Sequence, residues 1–334
     1  MLRKFAIGFA VAAGVIASAL PASAEISKPV TVAIGGRGLI TYLPLTLADR
    51  LGYFKEAGLT VQINDFAGGS KSTEALVGGS ADVSIGAYEH TLLLQPKGIT
   101  LKAIALFNES YGAVIALKPA LAKKYKSPAD LKGLKMGVTT PGSSGALAIT
   151  ILLSKAKLPP SAVSIIGIGG GPGALSAIKS GQLDGVAQFD PVVSEAIHDG
   201  DMVPIVDTRT KAGMDYLYGG YIAASSVLTT PKFIKERPEA AKAFARAIGR
   251  AVKWLHSATP DQVAATVPKA YLGTNPALYK EAVAKVKDTF TTDGAIPPKA
   301  AENTYRVLST FGPLKGVKGI NVKETYDNSL VRSK

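Results

Sequence analysis

The feature that most limits what this chain can fold into is a repeat within its own first two-thirds. Laid on itself at an offset of 102 residues, the sequence matches without a gap from residue 30 to residue 89. Leu45, Leu47 and Leu51 fall on Leu147, Ile149 and Leu153, and Val61 and Ile63 on Val163 and Ile165. The glycines keep the same phase: Gly35 falls on Gly137, Gly68 and Gly69 on Gly170 and Gly171, and Gly79 with Asp82 on Gly181 with Asp184. Few positions are identical, but apolar residues and turn glycines in step over that length are what a duplicated supersecondary unit leaves behind.

Each copy reads as strand, helix, strand, helix, strand. In the first, a β-branched run over 30–35 ends in Gly, and 42–51 carries Leu43, Leu47 and Leu51 at helical spacing. Residues 59–63 alternate, 72–77 make a short helix stopped by Gly78-Gly79, and 82–85 form a third strand. The second copy predicts the same elements over 135–138, 144–155, 163–168, 174–179 and 185–188. Strands alternating with helices imply parallel pairing with right-handed crossovers, and so two α/β lobes.

A second likeness joins residues 111–116 to 218–223 at an offset of 107, with five extra residues assigned to the loop around 208–216. These segments are expected to carry the chain out of lobe one and back, making a two-crossing hinge beside glycines. Lobe one is then 25–114 with 221–334, and lobe two is 115–220. After the return, 238–256 puts Ala241, Phe244, Ile248, Val252 and Leu255 on one helical stripe, with Trp254 packing beside it. The remainder, with Pro297-Pro298, finishes lobe one with helices and loops.

At the N-terminus Arg3 and Lys4 precede an uncharged apolar run over 5–20, then Pro21 and Ala22-Ser23-Ala24. This predicts a secretory signal peptide, residues 1–24, cut after Ala24, since the run is shorter than the roughly 20 residues that span a bilayer. The chain has no Cys, so disulfides, thiol catalysis, Cys-based zinc sites and attachment of a lipid at a mature N-terminal Cys are excluded, and a freely diffusing periplasmic protein is expected. The formal charge is +13. Its basic residues are scattered with few aromatics between them, which predicts a solvated surface rather than a nucleic-acid site, with steering of an anionic solute as an open alternative.

Ligands of open α/β sheets bind beyond the carboxyl ends of the strands, and the repeat nominates six such loops: 36–42, 66–71, 86–90, 139–145, 169–173 and 189–191. A cleft between facing lobes is a common site. The 139–145 loop ends a strand and opens a helix. Thr140, Ser143, Ser144 and Gly145 there suit either ordinary capping or an anion held on free backbone N–H groups. Its partner loop offers Arg37, Gly38, Thr41 and Tyr42, with Arg37 either a bidentate carboxylate or sulfonate contact or a surface cation. Tyr88 and Glu89 end one third strand. Phe189 and Asp190 end the other, where Asp190 before Pro191 also fits plain turn chemistry. Ser70, Asn108 and Tyr221 complete the candidate ligand-binding set. The glycines at 68–69 and 167–173 read as tight turns, not as phosphate or dinucleotide loops. His90, His198 and His256 are not spaced as metal ligands. No catalytic group, cofactor or metal is expected.

The string Tyr42-Leu43-Pro44-Leu45, then Leu51-Gly52-Tyr53-Phe54-Lys55-Glu56-Ala57-Gly58-Leu59, resembles the nitrate/sulfonate/taurine-type (NMT1-like) substrate-binding proteins of ABC transporters. So do Gly78-Gly79-Ser80-Ala81-Asp82-Val83 and Gly181-Gln182-Leu183-Asp184-Gly185-Val186. The likeness covers nearly the whole mature chain. It implies an α/β periplasmic-binding-protein fold of type II and delivery of a small molecule to a permease with a cytoplasmic ATPase, by a monomer that is not an enzyme. The same fold is similar to the fungal thiamine-pyrimidine synthase, whose Cys-rich motif this chain lacks. Family ligands include sulfonates, taurine, nitrate, aromatic carboxylates and thiamine-precursor pyrimidines. The Ser/Thr-rich helix start and basic balance favour a small organic anion, with the pyrimidine or nitrate as alternatives and a sensory role as a rival.

Overall fold

The computed structural model describes residues 28–332; the expected leader and its cleavage point lie outside the described residues. Ten strands occur in chain order: β1 (Val30–Gly35), β2 (Val61–Phe66), β3 (Val83–Ala87), β4 (Lys102–Leu106), β5 (Val114–Leu117), β6 (Lys135–Val138), β7 (Ser164–Gly167), β8 (Gly185–Gln188), β9 (Val203–Asp207) and β10 (Ser225–Thr229). They form two five-stranded sheets, ordered β2-β1-β3-β10-β4 and β7-β6-β8-β5-β9. The first three strands of each are parallel, as the βαβ alternation requires. The fourth is antiparallel to both of its neighbours.

That fourth strand arrives from the other half of the chain. After β4 the backbone crosses through 107–113 and inserts β5 into the second sheet. After β9 it returns through 208–224 and inserts β10 into the first. Val114 therefore sits in the second sheet, although the expected division put it as the last residue of lobe one before the crossing.

Strand register corrects the repeat in two places. Val32 faces Val83 and Ile63, while Met136 faces Gly185 and Ile165. The second and third strands thus keep the offset of 102, but β1 and β6 correspond at 104, and the true counterpart of Gly35 is Thr139. The difference is taken up in the next loop, which runs over 36–42 in one half and 139–143 in the other before helices Leu43–Arg50 and Ser144–Lys155. A loop absorbs such a deletion because it interrupts no ladder. The second correction concerns the crossings. Gly86 pairs with Ser226 and Gln188 with Val114, so β5 and β10 correspond at 112, not 107. A register shift lies between Ile115 and Ala116 in one and between Val227 and Leu228 in the other, so even the irregularity is duplicated.

Helix Pro238–Ser257 covers the first sheet, burying Ala241, Phe244, Ile248, Val252 and Leu255 as its stripe predicts, and Phe244 stacks on Phe54 at 4.8 Å. Trp254 packs against this core, half-buried. The first strand is held close to its neighbour: a Cβ on Gly35 would lie 2.1 Å from the backbone carbon of Gly68. Gly35→Ala is expected to cost about 1–3 kcal/mol by forcing that turn away, read as a lower urea midpoint at unchanged slope. Gly173→Ala, where an added Cβ meets nothing within 4 Å, is the control.

The candidate site between the two sheets

The carboxyl ends of β1 and β2 face those of β7 and β8, and the loops beyond them touch. Ile40 N–H donates to the Asp190 carbonyl at 2.9 Å. Ser70 and Thr140 hydroxyls bond each other at 2.8 Å, and Ser70 also donates to the Pro141 carbonyl at 3.1 Å. Beside these contacts lies a cavity of about 600 Å³. Its walls are Gly36–Gly38 and Asp65–Ala67 from the first sheet and Ile168–Leu175 with Pro191, Val192 and Glu195 from the second. Ala270, Tyr271, Gly273 and Thr274 close one side. Most of the surface is glycine backbone or apolar side chain, and the charged groups are Arg37, Asp65 and Glu195.

The residues nominated from sequence divide sharply. Arg37 and Gly38 line the cavity. Ser70 and Thr140 lie at the seam, spent on each other. Ser143 caps its helix by accepting from Ala146 N–H at 3.4 Å; Ser144 is buried beside it. Gly145 packs against β8, where a Cβ would come within 2.7 Å of the Ala187 carbonyl oxygen. Thr41 and Asn108 brace the hinge. Asn108 Nδ2 donates to Thr41 Oγ1 at 2.9 Å, its Oδ1 accepts from Ser225 N–H at 3.0 Å, and the Thr41 and Ser225 hydroxyls bond at 2.7 Å. Tyr88 is a core residue bonded through its hydroxyl to Thr325, and Tyr221 is a surface residue, 49% exposed.

Asp190 is an ion-pair partner. Arg209 Nη1 donates to its two oxygens at 3.1 and 3.2 Å while Nη2 and Nε hold Asp207 at 2.7 and 2.8 Å. The Asp190 and Arg209 side chains are 2% and 1% exposed, so neither is open to a solute. Tyr42 is buried, and its hydroxyl is pushed well above the usual phenol range by burial and then by the charges of Glu89 and Asp65.

Glu89 stands apart. It is 1% exposed, accepts from the Tyr111 hydroxyl through Oε2, and leaves Oε1 without a hydrogen-bond partner. Burial pushes its carboxyl up to about 8. Tyr111 and Tyr218 from the two crossings and Leu147 and Ile151 from helix Ser144–Lys155 share a small void with it, so it sits where both halves meet the hinge. His90 lies on the same seam, its Nδ1 2.7 Å from Thr73 Oγ1. Burial lowers it to about 4 against an opposing hydrogen bond to the Gly142 backbone.

Residues 40–263 match the family model described as NMT1/THI5 like. The chain belongs to the NMT1/THI5-like family. Among solved structures, a Bordetella bronchiseptica RB50 protein is 42% identical, with 92% of this chain and 96% of that one covered and a TM-score of 0.87. The alkanesulfonate-binding protein SsuA of Xanthomonas axonopodis pv. citri, bound to MOPS, shares the fold at 18% identity, with 93% and 100% covered and a TM-score of 0.65. The curated 4-amino-5-hydroxymethyl-2-methylpyrimidine phosphate synthase of Schizosaccharomyces pombe is 28% identical over 66% of this chain, and the match spans 62% of that protein's length. The fold is thus the periplasmic-binding-protein α/β fold, as the sequence resemblance implied.

Of the loops nominated from sequence, residues 66–67 and 169–173 line the cavity, as do Asp65, Glu195 and the 270–274 segment, which were not nominated. Asp65 is the penultimate residue of β2, which runs further than the alternation over 59–63 suggested. Glu195 lies in helix Val192–His198, one turn past the nominated loop. Residues 270–274 belong to no repeat and carry no signal of their own.

Two predictions follow from the buried charges in this NMT1/THI5-like chain. Arg209→Leu leaves Asp190 buried without its cation and is expected to cost about 3–5 kcal/mol, measured by urea unfolding. For Glu89, the fold holds the carboxyl neutral up to about pH 8, whereas the unfolded chain ionises near its ordinary 4.5. Stability therefore falls as pH rises from 4.5 through 8. His90, held neutral down to about 4, acts in the opposite sense only below its ordinary 6.5. Between pH 6.5 and 8 His90 no longer contributes, and wild type should lose up to about 1.4 kcal/mol per pH unit relative to Glu89→Gln, in which the other carboxyls are unchanged. Parallel profiles for the two proteins would mean that Glu89 is ionised in the fold.

Proposed function

We propose that this chain is the exported solute-binding component of an ABC importer, which captures a small organic solute between its lobes and presents the closed form to a permease with a cytoplasmic ATPase. One observation carries the reading: strand-end loops of both sheets wall a single cavity of about 600 Å³, a volume suited to a small organic molecule. The wall is divided between the two halves, so a solute there gains contacts on closure, and closure is driven by its differential affinity for the two states. Residues 25–113 with 221–334 would move as one lobe and 114–220 as the other. The leader over 1–24 would be removed after Ala24, and the mature protein would act in the periplasm as a monomer.

The organic anion favoured by the sequence finds less support in the cavity than the capture itself. Arg37 is the cation available to hold it, and that guanidinium already pairs with Asp49 at 2.7 Å. The Ser and Thr groups of the 139–145 helix start serve capping and the seam. Catalysis by the route of the fungal synthases is disfavoured because the chain has no Cys.

The same absence makes the test clean. Lys55→Cys with Lys132→Cys places one fluorophore in each lobe. A thermal-shift screen of sulfonates, aromatic carboxylates, nitrate, pyrimidines and aromatic amines would supply the ligand. The expected result is one-to-one binding, a shorter interdye distance and unaltered solute on recovery. Binding with no change in distance, or release of a chemically changed solute, would defeat the proposal.

A further inference from the structure

A second concavity lies on the helix that covers the first sheet and shares no wall residue with the cleft. It measures about 300 Å³ and is walled by Tyr53 from the short helix Tyr53–Glu56 and by Lys242, Ala243, Arg246, Ala247 and Arg250 from helix Pro238–Ser257. Lys242, Arg246 and Arg250 recur every four residues, so one edge of that helix, beside its apolar stripe, carries three cations in a row. Like charges at that spacing weaken a helix unless something neutralises them. Arg250 has its counter-ion: Nη2 donates to Glu56 Oε2 at 2.7 Å, and the guanidinium lies 4.1 Å over the Tyr53 ring. Arg246 reaches the Arg332 carbonyl through Nη2 at 3.3 Å, and its buried Nε has no hydrogen-bond partner. Lys242 forms no hydrogen bond or ion pair among the described residues. The carboxylate of the wall, Glu239, belongs to the first turn of the helix, where the dipole already favours it.

We infer that this concavity binds a phosphate group carried on a small organic fragment, with the phosphate held by Lys242 and Arg246 and the fragment resting on Ala243, Ala247 and the Tyr53 ring. A phosphate presents several oxygens at once, enough to bridge an ammonium and a guanidinium one helical turn apart. Nε and Nη2 form one edge of the Arg246 guanidinium, the kind of edge that phosphate meets with two parallel bonds. Turning that edge into the concavity gives up one long bond to Arg332, because Nε has none to lose. The two alanines leave the floor open where longer side chains would fill it. A space of this size takes one headgroup-sized fragment and not a run of acidic peptide. The same chemistry belongs to a phospholipid headgroup and to a soluble phosphate ester, and neither depends on solute capture in the cleft.

Calorimetry on the mature protein with glycerol 3-phosphate at physiological salt tests the soluble form. Flotation with vesicles containing phosphatidylglycerol tests the lipid form, with phosphatidylcholine vesicles, whose phosphate is neutralised by its own choline, as the blank. Binding is expected with at least one. Glycerol 3-phosphate binding identifies a soluble ester, and binding to phosphatidylglycerol vesicles alone identifies a headgroup. Lys242→Gln with Arg246→Gln should weaken whichever binding is found about tenfold or more. Ala243→Leu, which fills the concavity and leaves the charge alone, should weaken it to a similar degree. Lys123→Gln with Lys124→Gln removes the same charge from exposed positions in the other half and should change it by less than about threefold. A cooperative melt shows that each variant is folded. No binding of either phosphate, binding that survives both changes at the concavity, or an equal loss in the Lys123 and Lys124 variant would overturn the inference. Tighter binding of hexaglutamate than of both phosphates would overturn it too, in favour of an acidic protein segment.

Discussion

The junction of this molecule depends on one buried ion pair. Arg209 follows β9, at the start of the return crossing, and Asp190 follows β8. Their side chains join two strand ends of the second sheet, and the Asp190 carbonyl accepts from Ile40 in the first. Removing two charges from water is recovered only when every lone pair and proton is met. Here Ser194 and Asp207 complete the set. A pair so fully satisfied fixes the direction in which the chain leaves the second sheet.

Around that anchor the polar groups form layers of different purpose. Thr41, Asn108 and Ser225 tie the first loop to the return crossing by hydrogen bonds that are internal and complete. Ser70 and Thr140 touch across the seam and can exchange partners at little cost, since each hydroxyl both donates and accepts. Asp65 and Glu195 lie furthest out, beside glycine backbone and apolar wall. Apart from Glu89, whose Oε1 has no hydrogen-bond partner, the polar groups at the hinge are satisfied and those at the cavity are more open, the order expected if one end must hold and the other must receive.

Much of this was legible in the sequence. Leucines at helical spacing and glycines in step revealed two equivalent α/β halves, and helices such as Ser144–Lys155 fall where the pattern put them. The offset failed where a loop lost two residues, because loops carry no periodicity to register the loss. It failed again at the crossings, because Tyr-Gly strings resemble one another without being equivalent. Site residues were harder. Tyr88, Glu89 and Asp190 do sit near strand ends, but a side chain there can turn into the core, the hinge or the cleft, and burial decides which. Glu195 and Tyr271 reach the cavity from a helix and a C-terminal segment whose positions depend on tertiary packing alone.

The exchange of β5 and β10 between the sheets has a bearing on synthesis. Residues 114–207 contain every strand of the second sheet, so it can close once that stretch has emerged from the ribosome. The first sheet begins earlier, at Val30, yet its interior position between β3 and β4 stays vacant until Ser225–Thr229 appears. The portion translated first is therefore completed last, and for more than a hundred residues of elongation its two flanking strands present unpaired edges of the kind that invite aggregation.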